Sequence, residues 1–171
     1  LLDVISRMKS NYEITAFIQC TNPFESSTTY SNVICSLLKN ENASNSFSAS
    51  KFKGWLWENQ KSYAVGTNHD KQNRFRSQDI IWNNYIERGS IVAMRTEHFI
   101  KSKKRFSGKT LLVESESQYN ADIDNPEDFE IAEASQERAH PPGVQVPQGR
   151  LRREIVRQGC TLHRAQLVAT G

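Results

Sequence analysis

The chain has 171 residues, a formal net charge of +3 and 37% hydrophobic residues. That length suits one domain with a single core, and so slight a positive balance gives no electrostatic footprint for nucleic acid. No run of about 18 apolar residues is present to span a membrane, and no signal peptide is recognisable.

Leu1 to Met8 carries apolar residues at helical spacing, and Glu13 to Gln19 is β-branched and apolar, the pattern of a buried strand. Thr21-Asn22-Pro23-Phe24 is a loop. Ser27 to Leu38 is expected to be a helix with Tyr30, Val33, Ile34, Leu37 and Leu38 on one face and Ser26 or Ser27 as its cap. This α-β-α order is the grammar of a parallel sheet with covering helices. Ser46 to Ala49 is a short strand. Phe52 to Trp57 and Ser62 to Val65 are expected to pair as a hairpin around residues 58–61. Asn68 to Asp79 is polar and irregular. Gly89 to Arg95 is a strand, Glu97 to Lys101 a short helix, and Gly108 to Glu114 and Tyr119 to Asp124 are strands.

Asp122 and Asp124 are the most chemical residues of this map. In an extended segment, residues two apart share a face, so both carboxylates are placed to reach one Mg²⁺. Solvated acidic turns have the same Asp-x-Asp spelling. Asn125 or Asp128 is suited to open a following helix. Cys20, Cys35 and Cys160 are widely spaced, with no Cys-x-x-Cys and no Cys/His cluster. Free thiols are therefore expected, in the cytoplasm, or in the nucleus of an animal cell.

Composition changes near residue 134. Beyond it there is no Asn, Lys or Phe, and positive charge is carried by arginine alone. Residues 134–171 are expected to be a low-complexity, disordered tail, dispensable for activity, with a short basic helix over 150–169 as the other reading.

Five segments in order resemble the acylneuraminate cytidylyltransferases, the CMP-sialic acid synthetase family. They are Phe17-Ile18-Gln19-Cys20-Thr21-Asn22-Pro23, Ser46-Phe47-Ser48-Ala49 with Lys53 beyond it, Asn73-Arg74-Phe75-Arg76-Ser77-Gln78-Asp79, Tyr85-Ile86-Glu87-Arg88-Gly89-Ser90, and the segment from Asp122 to Glu133. The resemblance covers residues 1–133. It implies a Rossmann-like nucleotidyltransferase fold (the nucleotide-diphospho-sugar transferase type), three-layer α/β/α with a mixed sheet. It lacks the family's opening strand and Gly-Ser-Lys loop, so the domain is expected to be N-terminally truncated. Arg88 stands where the family has Asn, Phe75 and Ser77 replace Pro and Arg, and Ile91-Val92 replaces an aromatic pair.

The activity so implied couples CTP to an acidic nonulose sugar, sialic acid or a relative, giving CMP-sugar and pyrophosphate. Asp122 and Asp124 would hold Mg²⁺ as catalytic residues. Gln19, Lys53, Arg74, Arg76 and Gln78 would bind substrate. Arg76 brings a planar fork for the sugar carboxylate and Lys53 a point charge. The family also implies a homodimer built by an excursion over about residues 55–85. Two other readings remain open. One is a catalytically inactive fragment or interaction module of this fold. The other is a different sugar nucleotidyltransferase, which the Arg-x-Arg-x-Gln-Asp run disfavours.

Overall fold

The computed structural model describes residues 2–7, 12–115, 122–139 and 165–170. Helix α1 (Leu2–Arg7) leads to β1 (Ile14–Gln19), α2 (Ser27–Lys39) and β2 (Asn45–Phe52). A small hairpin, β3 (Trp57–Asn59) and β4 (Ala64–Gly66), and a 3-10 turn at Ser77–Asp79 precede the long strand β5 (Asn84–Arg95). Then come α3 (Thr96–Ser102), β6 (Thr110–Glu114), α4 (Pro126–Ala139) and β7 (Ala165–Thr170). The chain divides into two units, 1–49 with 87–171, and 50–86.

In the first unit the sheet runs in the order β6-β2-β5-β1-β7. β1 is parallel to β7 and antiparallel to β5, and β2 is parallel to β6. The sheet is thus mixed, as the resemblance implies, rather than wholly parallel as the α-β-α order suggests. Side-chain alternation gives it two apolar faces. Ile14, Ala16, Ile91 and Ala93 pack with Val33, Ile34 and Leu37 of α2 on one face. Phe17, Val92 and Met94 pack with Phe99 of α3 and Ile5 of α1 on the other. The result is three layers, and each large aliphatic side chain so buried contributes about 1.5–3 kcal/mol.

Helix α2 is closed at both ends by side chains. Ser26 Oγ accepts the Thr29 N–H at 3.0 Å, the cap foreseen from the sequence. At the other end Arg95, the last residue of β5, donates to the Leu37 and Asn40 carbonyls, each at 3.0 Å, and to Ala43 O at 2.9 Å. It also pairs with Glu13 at 2.8 Å. One guanidinium therefore ties β5, the end of α2 and the start of β1 together.

Several expectations change. The hairpin forms, but Asn59 pairs with Ala64, so its loop is residues 60–63, not 58–61. Lys61 takes a positive φ of 61° there, which places the turn two residues later than polarity alone suggested. β5 begins at Asn84 rather than Gly89, because burial starts only at Arg88 and the exposed half carries no apolar alternation. Residues 122–125 are bends and irregular backbone, not strand. Residues 119–121 lie outside the described residues.

Two corrections concern the tail and the thiols. α4 continues past residue 134, and β7 pairs along the whole of β1 in a segment expected to be disordered or, in part, helical. The Arg- and Pro-rich average of the tail masks the short run Ala165-Gln166-Leu167-Val168-Ala169-Thr170, and an open strand edge provides the backbone partners that propensity cannot reveal. Cys20 is free and exposed, whereas Cys35, buried in α2, is disulfide-bonded rather than a free thiol.

Replacing Arg95 by Lys keeps the charge but loses the fork that reaches several carbonyls. The expected loss of stability is about 1–2 kcal/mol, read from the midpoint of urea unfolding.

Candidate active site

Gln19 ends β1, and the loop after it crosses the carboxyl edge of the sheet, where open α/β folds place their ligands. The antiparallel strand β5 brings Arg88 and Gly89 to this same edge. Asn22, 1% exposed, donates from Nδ2 to Arg88 O at 2.9 Å and so pins the strand just before the glycine. Gly89 has φ of +68°, a conformation that disfavours any side chain. A Cβ there would stand 3.3 Å from Asp122 Oδ2 and 3.6 Å from Gln19 Oε1. The missing side chain is what lets a carboxylate and a carboxamide from distant parts of the chain meet over one backbone position.

Asp122 reaches this point through its neighbour. The Ile123 N–H donates to Thr21 O at 2.9 Å, which docks the segment on the loop after β1. The next residues form a capping box. Asn125 Oδ1 accepts the Asp128 N–H at 2.9 Å, and Asp128 Oδ2 accepts those of Asp124 and Asn125 at 3.0 and 3.2 Å. Pro126 fills the first helical position. Asp128 is therefore a capping residue, and the exposed Asp124 is placed by a cap rather than by strand alternation. The same-face argument for Asp122 and Asp124 loses its basis at these residues.

Behind the glycine lies a buried charge network that the sequence reading passed over. Glu25 is 8% exposed. Its Oε1 accepts from the Ser26 N–H at 3.1 Å and Ser115 Oγ at 2.8 Å, and its Oε2 from Ser90 Oγ at 2.9 Å. Ser90 and Ser48 hydroxyls are 2.6 Å apart. Since the Ser90 proton is given to Glu25, Ser48 is the donor in that pair. Arg88, its side chain 1% exposed, brings Nε to 3.9 Å from Glu25 Oε2. Burial pulls its guanidinium below the ordinary arginine value, while the charges of Glu25 and then Asp122 hold it up. The available signal was serine at two inward strand positions, Ser48 and Ser90, where apolar residues are the rule.

The donor set over Gly89 suits a hard cation. Asp122 and Gln19 offer oxygen atoms beside the gap that a Cβ would fill. In the adjoining loop Thr21 Oγ1 and Asn22 Oδ1 are buried oxygens with no hydrogen-bond partner among the described residues. Mg²⁺ accepts one or two protein oxygens and completes its shell with water and phosphate. Among the described residues no three His, Cys, Asp or Glu side chains converge.

Lys53, Arg74, Arg76 and Gln78 all belong to the second unit and are exposed. Asn68 staples this unit, accepting the Leu56 N–H and donating to Gly54 O, both at 2.8 Å. His69 packs edge-on to Trp55 and Trp57, with centroids 4.9 and 4.7 Å away. Arg74 lies over the Trp55 ring, 4.5 Å from its centroid. Trp82 meets Trp55 at 5.0 Å and donates to Ser77 O at 3.2 Å, so both are packing residues. Arg76 stands just before the 3-10 turn that holds Gln78, without a side-chain capping bond.

No protein-family model matches the chain, and no curated protein matches it. A solved structure does: 4-diphosphocytidyl-2C-methyl-D-erythritol synthase from Anaerococcus prevotii DSM 20548, with a TM-score of 0.59 at 15% identity. The likeness shows a fold. This protein has the mixed α/β fold of that nucleotidyltransferase. The match covers 80% of this chain and 62% of the other, so the chain spans less than two thirds of the neighbour's length.

Tyr30 reports on the charge network. Burial, and then the Glu25 charge, push its phenol up to about 12 from 10.0. A folded value above the unfolded one favours the neutral phenol, so this stabilisation is complete below pH about 10 and is lost as pH rises towards about 12. Unfolding midpoints of the wild-type protein should fall over that window, and Tyr30→Phe should flatten the fall.

Proposed function

We propose that this domain serves a cytidylyl transfer in which CTP activates an acidic nonulose sugar, sialic acid or a relative, releasing pyrophosphate. The observation that carries the reading is the meeting of Gln19 and Asp122 over Gly89 at the carboxyl edge of the sheet. The nucleotidyltransferase fold supports it, as does the name of the structural neighbour, which describes a cytidyl product.

In this reading Gln19 hydrogen-bonds the hydroxyl or amide groups of the sugar and sets its angle of approach. Asp122, with Asp124 as a second carboxylate, faces the phosphates. A bound Mg²⁺ would supply neutralisation of phosphate charge and a lower pKa for the attacking hydroxyl. Gly89 keeps the floor of the site free of side chains. Arg76 and Lys53 provide cations for the sugar carboxylate, with Arg74 and Gln78 as further substrate contacts, reaching the site of a partner copy in a homodimer.

Calorimetric titration with CTP and N-acetylneuraminic acid, with pyrophosphate release as the second readout, tests the assignment. Sugar affinity should fall about tenfold in Gln19→Ala, in line with the loss of one or two hydrogen bonds. Asp122→Asn should abolish any pyrophosphate release. A folded chain that binds neither compound is instead a non-catalytic module of this fold.

The homodimer has its own support. The second unit exposes Phe75 at 72% and Ile81 at 94%, together with Leu56, Trp57 and Tyr63. Surface of this kind is expected at subunit contacts. Light scattering should give a dimer mass, and Ile81→Asp should shift it towards monomer. A wild-type monomer at high concentration overturns this part of the reading.

A further inference from the structure

We propose that the basic loop between α3 and β6, with the sheet face beside it, docks this domain on a membrane surface rich in anionic phospholipid. The inference stands apart from the transfer reaction proposed above, because this surface lies at the other edge of the sheet. Ile14, the first residue of β1, pairs with Arg95, and the Arg95 N–H donates to Ser44 O at 2.9 Å, just before β2. The amino ends of β1 and β2 therefore meet at the end of β5, the edge opposite Gln19. The loop enters β6 at Thr110, which pairs with Asn45 at this same edge.

The charge is local. Lys101, Lys103, Lys104, Arg105 and Lys109 fall within nine residues, and no Asp or Glu occurs between Glu97 and Glu114. These five cations outnumber the net charge of +3, so the remainder of the chain is acidic on balance and the average conceals the cluster. All five side chains are exposed. None of them forms an ion pair among the described residues. Their field is thus available to an outside partner.

The loop is held in one shape. Lys103 closes α3 in the left-handed conformation, and its N–H donates to Phe99 O at 2.8 Å. Ser102 Oγ accepts the Lys104 N–H at 3.2 Å. Asn45 Nδ2 donates to Ser107 O, and the Ser44 N–H to Lys109 O, both at 2.8 Å. Gly108 has φ of +65° and approaches β2 so closely that a Cβ would stand 2.5 Å from Ser44 Oγ. A loop fixed in this way presents its cations without an ordering cost on binding.

Residue type selects the partner. Four of the five cations are lysines, point charges suited to a diffuse layer of headgroup phosphates. The guanidinium of Arg105 lies 5.2 Å from the centroid of the Phe17 ring, so its planar face is already engaged on the protein. Apolar surface adjoins the charges. Leu112 is 43% exposed and Phe106 37%. Phe106 meets Phe47 edge-on at 5.5 Å, and Phe47 pairs in register with Leu112. Nucleic acid calls for arginine forks and open ring faces. Lysines around a small apolar patch match instead the boundary between headgroups and acyl chains.

Co-sedimentation of the full chain with lipid vesicles tests this. Vesicles of phosphatidylcholine mixed with phosphatidylserine should carry the protein down, and phosphatidylcholine alone should not. Binding should fall steeply as salt is raised. Lys103→Gln with Lys104→Gln should weaken it about twentyfold, from about fivefold per cation lost. Leu112→Gln should weaken it several-fold and keep the salt dependence. Lys39→Gln with Lys71→Gln removes the same charge elsewhere and should leave binding unchanged. Circular dichroism of each variant confirms that binding is read on folded protein. The inference is overturned by absence of binding to the mixed vesicles, by equal binding to phosphatidylcholine alone, by an equal loss in the Lys39 and Lys71 variant, or by an unchanged Leu112→Gln. Release from the vesicles by a single-stranded oligonucleotide or by polyglutamate at matched charge also overturns it, and makes the surface one for nucleic acid or for an acidic protein.

Discussion

A carboxylate withdrawn from water must be met by donors, and Glu25 is the point on which the carboxyl edge of this sheet depends. Its partners are the first residue of the α2 cap, a serine of β5 and a serine just past β6, with a serine of β2 one hydrogen bond further on. Each donor is useful only if its strand lies in the right register. Burying the charge therefore aligns β2 and β5, at Ser48 and Ser90, with the end of β6 beside the loop that follows β1. Taking one partner from a buried pair such as Glu25 and Arg88 costs about 3–5 kcal/mol, which makes the alignment hard to relax.

On that aligned edge a single glycine decides what can gather. The positive φ at Gly89 and the pinned carbonyl of Arg88 turn the strand so that Asp122 and Gln19 both lie beside the space a Cβ would take at Gly89. The edge at the other end of β1 is arranged differently. A cavity of about 540 Å³ opens there beside Glu13, Arg95 and Ile100. Its guanidinium is engaged with Glu13 and with the carbonyls that close α2, so its charge is structural.

The second unit is held by a different kind of force. It has little aliphatic core. Asn68 hydrogen-bonds the backbone at Gly54 and Leu56, next to the short β3–β4 ladder, and ring contacts among Trp55, Trp57, His69 and Trp82 supply the packing. Gly66 is required because His69 O would stand 2.8 Å from a Cβ. Such a unit can be ordered and still leave most of its large apolar side chains exposed, which is the property a contact surface needs.

The sequence by itself determined the elements whose signal is local. The apolar runs of β1 and of the buried half of β5, the Ser26 cap, and the Asn125-Pro126 helix start are each written within a few residues, because burial period and capping are short-range effects. Gln19 and Asp122 were also singled out by motif order in the resemblance, and the fold brings both beside Gly89. Only the tertiary structure decided the rest. Glu25 and Arg88 are far apart in the chain, and neither residue type announces a buried partner. Their buried pair exists because a sheet edge brings them to one place. The pairing of Ala165–Thr170 with β1 likewise depends on an open backbone edge, which no composition average can register.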